Sequence, residues 1–285
     1  MSKKNLSRIE TPSGKGSGDE NFPVGSWIIS HRLRPHIKKF YLFARAADDI
    51  ADNPNLPAKE KIKRLNIFRS ALIGKSSNKK KCPKAVSLKK SNHDLGITSV
   101  HGKKLLGAFK QDAVKLRYKD WKELIGYCNL SAAPVGRYIL DLHGENKKIY
   151  KYSDDLCNAL QIINHIQDCK EDYIKLNRIY LPQCWIKEQK IKNSELEKSE
   201  ARKELKIVIG KTLKGVEKLL KRASLLSKKI KDPRLSAEAE IIYRIADKLT
   251  KKLKIKDPIQ ERVKLSKLSF LLCGINGLLF SWLRN

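Results

Sequence analysis

The chain lacks any Cys-x-x-Cys pair, and no apolar run in it reaches the length of a membrane span. Its six cysteines (Cys82, Cys128, Cys157, Cys169, Cys184 and Cys273) are scattered, several within apolar helical patterns. That excludes zinc-finger spacing and leaves reduced core cysteines in a cytosolic protein as the expectation. The longest apolar stretch, Leu268 to Leu283, is interrupted by Ser269, Gly274, Asn276, Gly277 and Ser281. A spanning helix takes about 20 apolar residues, so a buried C-terminal helix is expected here, with shallow membrane docking left open. No stretch alternates apolar and polar residues at period two, and no internal repeat is visible. The first twenty residues are polar and Gly/Ser-rich, unlike a signal peptide, and are expected to form a disordered tail. Acids are scarce: 30 Asp and Glu stand against 61 Lys and Arg, a net charge of +31.

Such a field attracts anions generally: nucleic acid, acidic lipid headgroups or diphosphates. Many of the lysines are interleaved with acids, as from Glu195 to Glu204, which is the pattern of a solvated helix face. With no aromatic-basic RNA-binding signature present, nucleic acid is not expected as a partner. A hydrophobic share of 41% with a mean hydropathy of -0.49 fits a soluble protein with a real core. Helical periodicity covers about 34–51, 58–74, 100–117, 120–142, 152–175, 196–228, 235–254 and 261–283. Breaks fall at Pro54 and Pro57, the polar stretch Gly74–Asp94, Gly144–Lys148, Asp232-Pro233 and Asp257-Pro258, and Pro134 should kink its helix. No long linker divides the chain. The expectation is all-α, with residues 21–285 as a single helical domain.

Two segments carry chemistry. In Phe40–Asp52, Asp48 and Asp52 are four apart and Arg45 precedes Asp48 by three. At about 100° per residue the three share an arc of ~60°. In Leu160–Asp172, Gln161, Asn164, Asp168 and Asp172 lie within ~80° on a helix otherwise rich in Leu, Ile and Ala. Adjacent carboxylates repel unless a cation sits between them, and oxygen-only ligands suit a hard ion such as Mg²⁺ that also takes phosphate oxygens. Arg45 adds a fork-shaped phosphate donor. Either stripe alone reads as an ordinary solvated face with capping acids; together they predict a metal–diphosphate site. His165, at the edge of the second stripe, reads as a core or lining histidine, since imidazole suits softer metals.

The two Asp-x-x-x-Asp motifs, with Arg45, Gln161, Asn164 and the stretch Asn177-Arg-Ile-Tyr-Leu-Pro182, resemble the squalene/phytoene synthase family over about residues 20–283. Within it, Glu20-Asn-Phe-Pro-Val24, Arg32-Leu-Arg-Pro-His36, Phe43–Asp52, Asp120-Trp-Lys-Glu-Leu124, Tyr127-Cys128 with Ala133–Arg137, and Gln167-Asp-Cys169 are most similar to bacterial hydroxysqualene synthases of hopanoid pathways.

The resemblance implies a class I isoprenoid (trans-prenyltransferase/terpene) synthase helical bundle with a central cavity. It implies Mg²⁺ held by Asp48, Asp52, Asn164, Asp168 and Asp172, and diphosphate contacts from Arg45, Gln161, Arg178 and Lys175. Tyr243, Arg262 and Lys267 resemble positions that reach the diphosphate in relatives. Phe22, Phe40, Phe43 and Leu130 are candidate cavity-lining residues, or plain core. The implied reaction converts presqualene diphosphate and water to hydroxysqualene; the alternative is head-to-head condensation of farnesyl diphosphate or a longer homologue. Several relatives have a tyrosine where this chain has Asn129 or Leu130, which fits the former. No Gly-x-Gly-x-x-Gly fingerprint is present, although this fold would not use one, and NADPH is not expected. The implied location is cytoplasmic, with peripheral contact at the inner membrane surface open and the oligomeric state undetermined. A third reading, from a different class, is a non-catalytic basic helical protein on acidic membranes or nucleic acid.

Overall fold

The computed structural model describes residues 9–10, 28–75 and 81–284. Most of the expected tail 1–20, and Phe22, lie outside them. The chain divides into two compact units, Met1–Lys115 and Leu116–Asn285. Among the described residues the secondary structure is helical, apart from one isolated parallel bridge between Arg117 and Ile179.

The first unit holds α1 (Arg34–Asp52), α2 (Ala58–Leu72), α3 (Pro83–Asp94) and α4 (Val100–Asp112). α1 stops at Asn53, whose ψ of 114° is the extended conformation that a following proline, Pro54, imposes. Its inner face buries Ile37, Phe40, Phe43, Ala46, Ala47 and Ile50. Phe43 stacks on Phe68 of α2 at 5.1 Å between centroids, which makes it a core residue of this unit. Gly102 of α4 sits against that pair: a Cβ there would stand 2.8 Å from Leu72 Cδ2. α3 corrects the expectation of an irregular Gly74–Asp94 stretch. Pro83 starts the helix at its first turn, where a missing N–H costs nothing. Its apolar face is only Ala85 and Leu88, continued by buried Ser91 and Asn92, too little periodicity to read from sequence. Ser91 shares a 2.6 Å hydrogen bond with His36 of α1.

The second unit holds α5 (Trp121–Ser131), α6 (Ala133–Leu142), α7 (Tyr150–Gln167), α8 (Cys169–Leu176), α9 (Gln183–Glu188), α10 (Lys203–Ala223), α11 (Leu226–Lys229), α12 (Pro233–Leu253) and α13 (Lys267–Arg284). The expected kink at Pro134 is a full break between α5 and α6, with Pro134 in the first turn of the latter. α5 is opened by a capping box: Asp120 accepts from Glu123 N at 2.9 Å, and Glu123 reaches back to Lys119 N. α7 is central, contacting α5, α6, α10 and α12. Leu156, Ala159, Ile162, Ile163 and Ile166 fill its buried face. Charged forks clamp its N-terminal half: Arg137 on Asp154 and Arg222 on Asp155. Cys82, Cys128, Cys169 and Cys273 are buried, and all six cysteines are free thiols.

α13 corrects the expectation of a buried C-terminal helix. It packs on α12, yet Leu268, Leu271, Leu272, Ile275, Leu278 and Leu279 are exposed. Hydropathy states what a side chain prefers, not how many neighbours the fold supplies. No described helix is long and apolar enough to cross a membrane.

Candidate active site

In the first unit, α1 carries Arg45, Asp48 and Asp52 on one unbroken helix. Arg45 Nη1 lies 3.1 Å from Asp48 Oδ2. Its Nε and Nη2 hold Asp49 Oδ1 at 3.0 and 2.9 Å. The arginine that the sequence assigns to phosphate thus already bridges two carboxylates, one of them the buried Asp49. Burial first, then the negative charge of Asp52, push the Asp48 carboxyl up to about 8; Arg45 opposes this, while Asp112 and Asp49 add to it. Asp112, the buried last residue of α4, was invisible to sequence reasoning, because nothing local ties it to α1. A carboxylate so strained by like charge is a site that wants a cation.

In the second unit the stripe is not on one continuous helix. α7 ends at Gln167, α8 begins at Cys169, and Asp168 between them has φ -105° and ψ 9°. The ladder still runs through the joint: Asp168 N donates to Asn164 O at 2.9 Å, and Asp172 N to Asp168 O at 2.8 Å. The bend therefore re-aims Asp168 while keeping Asn164, Asp168 and Asp172 in sequence along the chain.

Asp168 is ion-paired with Arg262, whose Nη2 donates to Oδ2 at 2.9 Å while its Nε stands 2.7 Å from Oδ1. The α12–α13 connection delivers this arginine because Gln167 donates to Val263 O, Lys170 donates to Ile259 O at 3.3 Å, and Ile259 and Val263 are buried. The Gln167-Asp-Cys169 stretch so acquires a physical account. Gln167 anchors the loop, Asp168 takes its arginine, and Cys169 is buried, its thiol pushed up to about 12 by that burial and then by the charge of Asp172.

α8 ends where Asn177 adopts a left-handed conformation (φ 52°) and Arg178 N folds back onto Asp172 O at 3.1 Å. That turn buries Arg178 (6% exposed) beside the stripe. The next residues, Ile179 and Tyr180, run inward. Tyr180 stacks on His165 at 3.5 Å, and Tyr127 and Tyr118 extend the aromatic cluster. Gln161 Nε2 donates to His165 Nε2 at 3.1 Å. The imidazole proton then sits on Nδ1, 4.0 Å from Asp172 Oδ2. Burial and the Arg178 charge push His165 down to about 3, so the ring is neutral. It is a packed lining residue, as its helical angle suggested.

Gln161, Asp168, Asp172, Arg178 and Arg262 are thereby gathered around one joint. Three further expected contributors lie on α8, α12 and α13. Lys175 pairs with Glu171 at 3.1 Å on the exposed side of α8. Tyr243 lies among Asp247, Glu240 and Lys251 on α12, its hydroxyl pushed up by burial and then by those acids. Lys267 is exposed at the start of α13. Asn129 accepts from Asn158 at 2.8 Å. No three His, Cys, Asp or Glu side chains among the described residues form a metal cluster by themselves. The donors present are carboxylates and an amide, which fit a hard cation that draws its remaining ligands from elsewhere.

An all-helical chain with two aspartate stripes, each partnered by an arginine, has the build of an enzyme that handles isoprenoid diphosphates. The squalene/phytoene synthase family model matches residues 16–269, and the chain belongs to that family. It is 41% identical to the hydroxysqualene synthase of Zymomonas mobilis over 284 residues, covering 98% of this chain and 95% of that protein. It is likewise 41% identical to the hydroxysqualene synthase of Rhodopseudomonas palustris, covering 95% of this chain and 92% of that one. Among solved structures, a dehydrosqualene synthase superposes with a TM-score of 0.73 at 21% identity, over 90% of this chain and 89% of that one. The squalene synthase HpnC of Alicyclobacillus acidocaldarius gives 0.70 at 24% identity, over 81% and 86%.

Proposed function

We propose that this enzyme converts presqualene diphosphate and water to hydroxysqualene and diphosphate. The observation that carries the reading is the 41% identity, nearly end to end, with the hydroxysqualene synthase of Zymomonas mobilis. Residues 21–285 are read as one catalytic domain whose two aspartate stripes serve the same diphosphate. The match of a single family model to 16–269 supports this.

Asp48, Asp52, Asn164, Asp168 and Asp172 are the residues that would hold Mg²⁺. When bound, Mg²⁺ supplies Lewis-acid neutralisation of the diphosphate's charge. Arg262, now on Asp168, is the cation able to turn from carboxylate to phosphate as substrate arrives, while Arg45, held by the buried Asp49, adds a fixed cation beside Asp48. Arg178 and Gln161 add fixed donors beside Asp172. Lys175, Tyr243 and Lys267 take a smaller part. The carbon–oxygen bond to diphosphate breaks, the cyclopropane opens through a carbocation, and water adds and gives up a proton. No electron is transferred, so the reaction asks for no reductant. The neutral His165 and the tyrosines around it place an uncharged aromatic wall next to the stripe, which can face a carbocation without repelling it. Work is done in the cytoplasm, at the periphery of a membrane that can accept a product this apolar.

The deciding experiment supplies purified protein with presqualene diphosphate and Mg²⁺, or with farnesyl diphosphate with and without NADPH, and reads products by mass spectrometry. Hydroxysqualene from the first mixture is expected. Untouched presqualene diphosphate alongside condensation of farnesyl diphosphate would make the chain a head-to-head synthase instead.

A further inference from the structure

α13 carries the longest series of exposed apolar side chains among the described residues. Leu268, Leu271, Leu272, Ile275, Leu278 and Leu279 are 65, 60, 43, 45, 41 and 50% exposed. At about 100° per residue these six fill one arc of about 120° on the helix. The arc lies opposite the line that seats on α12, where Cys273 is fully buried and a Cβ on Gly277 would collide with Ile241. No charged residue falls inside it. A monomeric soluble protein rarely leaves a contiguous face of this kind open.

We propose that this face docks on an anionic lipid bilayer, with α13 lying in the plane of the interface. Charge argues for lipid as the occupant. The 251–267 stretch leading into α13 holds seven basic residues (Lys251, Lys252, Lys254, Lys256, Arg262, Lys264, Lys267) against two acids, Asp257 and Glu261. Lys251, Lys254 and Lys256 make exposed ion pairs with Asp247, Glu217 and Glu261, and pairs of that kind are too weak to hold a lysine from a headgroup. Ile255, 86% exposed, projects from the same stretch. A leucine face beside a lysine-rich run is the composition of an interfacial helix, and juxtaposed basic residues add attraction to acidic headgroups. A second copy of the chain is disfavoured as occupant, because each brings a net charge of +31. The proposal rests on the peripheral location read above and is independent of which diphosphate is the substrate.

The test compares the full-length protein with a Leu271→Gln/Ile275→Gln variant, both solvent-facing changes, in sedimentation with phosphatidylcholine vesicles and with vesicles containing phosphatidylglycerol. Circular dichroism verifies the variant's fold, and turnover in detergent micelles follows the chemistry separately. The wild type should bind the anionic vesicles at least about tenfold more strongly than the neutral ones, and than the variant binds either. Micellar turnover should be equal in the two proteins. Equal sedimentation of variant and wild type would overturn the proposal, as would binding indifferent to headgroup charge. So would a wild-type dimer by light scattering that the variant splits, since the face would then belong to a second copy. Loss of turnover on presqualene diphosphate in both proteins would sink the substrate reading and leave the vesicle comparison to decide the docking.

Discussion

On α1, Asp48 and Asp52 stand one turn apart on an unbroken helix, and their counter-charge, Arg45, comes from the preceding turn. At the joint of α7 and α8, Asp168 and Asp172 have the same spacing, but the helix gives way at Asp168 and the counter-charge, Arg262, arrives from 94 positions on. The same motif therefore meets like-charge repulsion in two ways. The first stripe keeps its arginine permanently, because Arg45 also serves the buried Asp49. The second borrows an arginine from a loop, held there by Gln167 and the burial of Ile259 and Val263. A local counter-charge is tied to folding; a borrowed one can leave without unfolding anything.

The largest effect should come from the aspartates themselves. Asp168→Ala and Asp48→Ala are each expected to lower turnover by about 10³-fold, within the range seen when a group stabilising developing charge is removed. If both stripes serve one diphosphate, as proposed above, the double variant should be little worse than either alone, because residues acting as a unit are not additive. Product yield by mass spectrometry decides this. Additive losses would mean that the two stripes do not share one substrate.

The two arginines should then part company. Arg262→Ala removes a hydrogen-bonded ion pair whose arginine side chain is 37% exposed; it should cost turnover about 10–100-fold while leaving the melting temperature nearly unchanged. Arg45→Ala breaks the ion pair to the buried Asp49, and breaking such a pair costs about 3 kcal/mol. For a chain of this size that is roughly 6–12 °C of melting temperature. Equal thermal shifts for the two variants would erase the distinction between permanent and borrowed counter-charge.

How these stripes were legible follows from what their partners are. Arg45, Asp48 and Asp52 share a helix, and so do Gln161 and Asn164, so period and spacing suffice to group them. Asp49 falls ~100° around the helix from Asp48 and was passed over, yet it is the residue that fixes Arg45. Asp112 and the Arg262–Asp168 clasp are tertiary: no local period links α4 to α1, or the α12–α13 loop to α7. The break at Asp168 also lacked a signal, for Ile166-Gln-Asp-Cys contains neither Pro nor Gly. By contrast Pro54, Pro134 and Asp232-Pro233 each fixed a helix boundary through the restricted backbone of proline.

The first stripe should also announce itself in pH dependence without metal. Asp48 is raised from 3.8 to about 8 in the folded protein, so between those values the folded state keeps a proton that the unfolded chain has lost. Stability must then fall as pH rises through that window and level off above about 8. A third of the Asp48 side chain is open to water, so only a fraction of the full linkage should survive screening, about 1 kcal/mol or 2–4 °C. Melting in EDTA between pH 5 and 8 measures it. Asp48→Asn should flatten the slope and be the more stable protein at pH 8, and added Mg²⁺ should raise the wild type there. An unchanged slope in Asp48→Asn would place the strain elsewhere.

The smallest effect tests whether position on the second stripe is enough to define a role. By helical angle Lys175 lies within ~20° of Asp168, and the family resemblance counts it among the diphosphate contacts. Its side chain is nevertheless 67% exposed and paired with Glu171, itself 63% exposed. A pair of that kind is worth about 0.3–0.5 kcal/mol. Lys175→Ala should therefore change turnover by about twofold and the melting temperature by about 1–2 °C. Arg178→Ala, one buried residue past the Asn177 turn, should cost far more. If Lys175→Ala instead matches the loss in Arg262→Ala, the lysine leaves Glu171 for the diphosphate, and the second stripe recruits two mobile cations where the first keeps one in place.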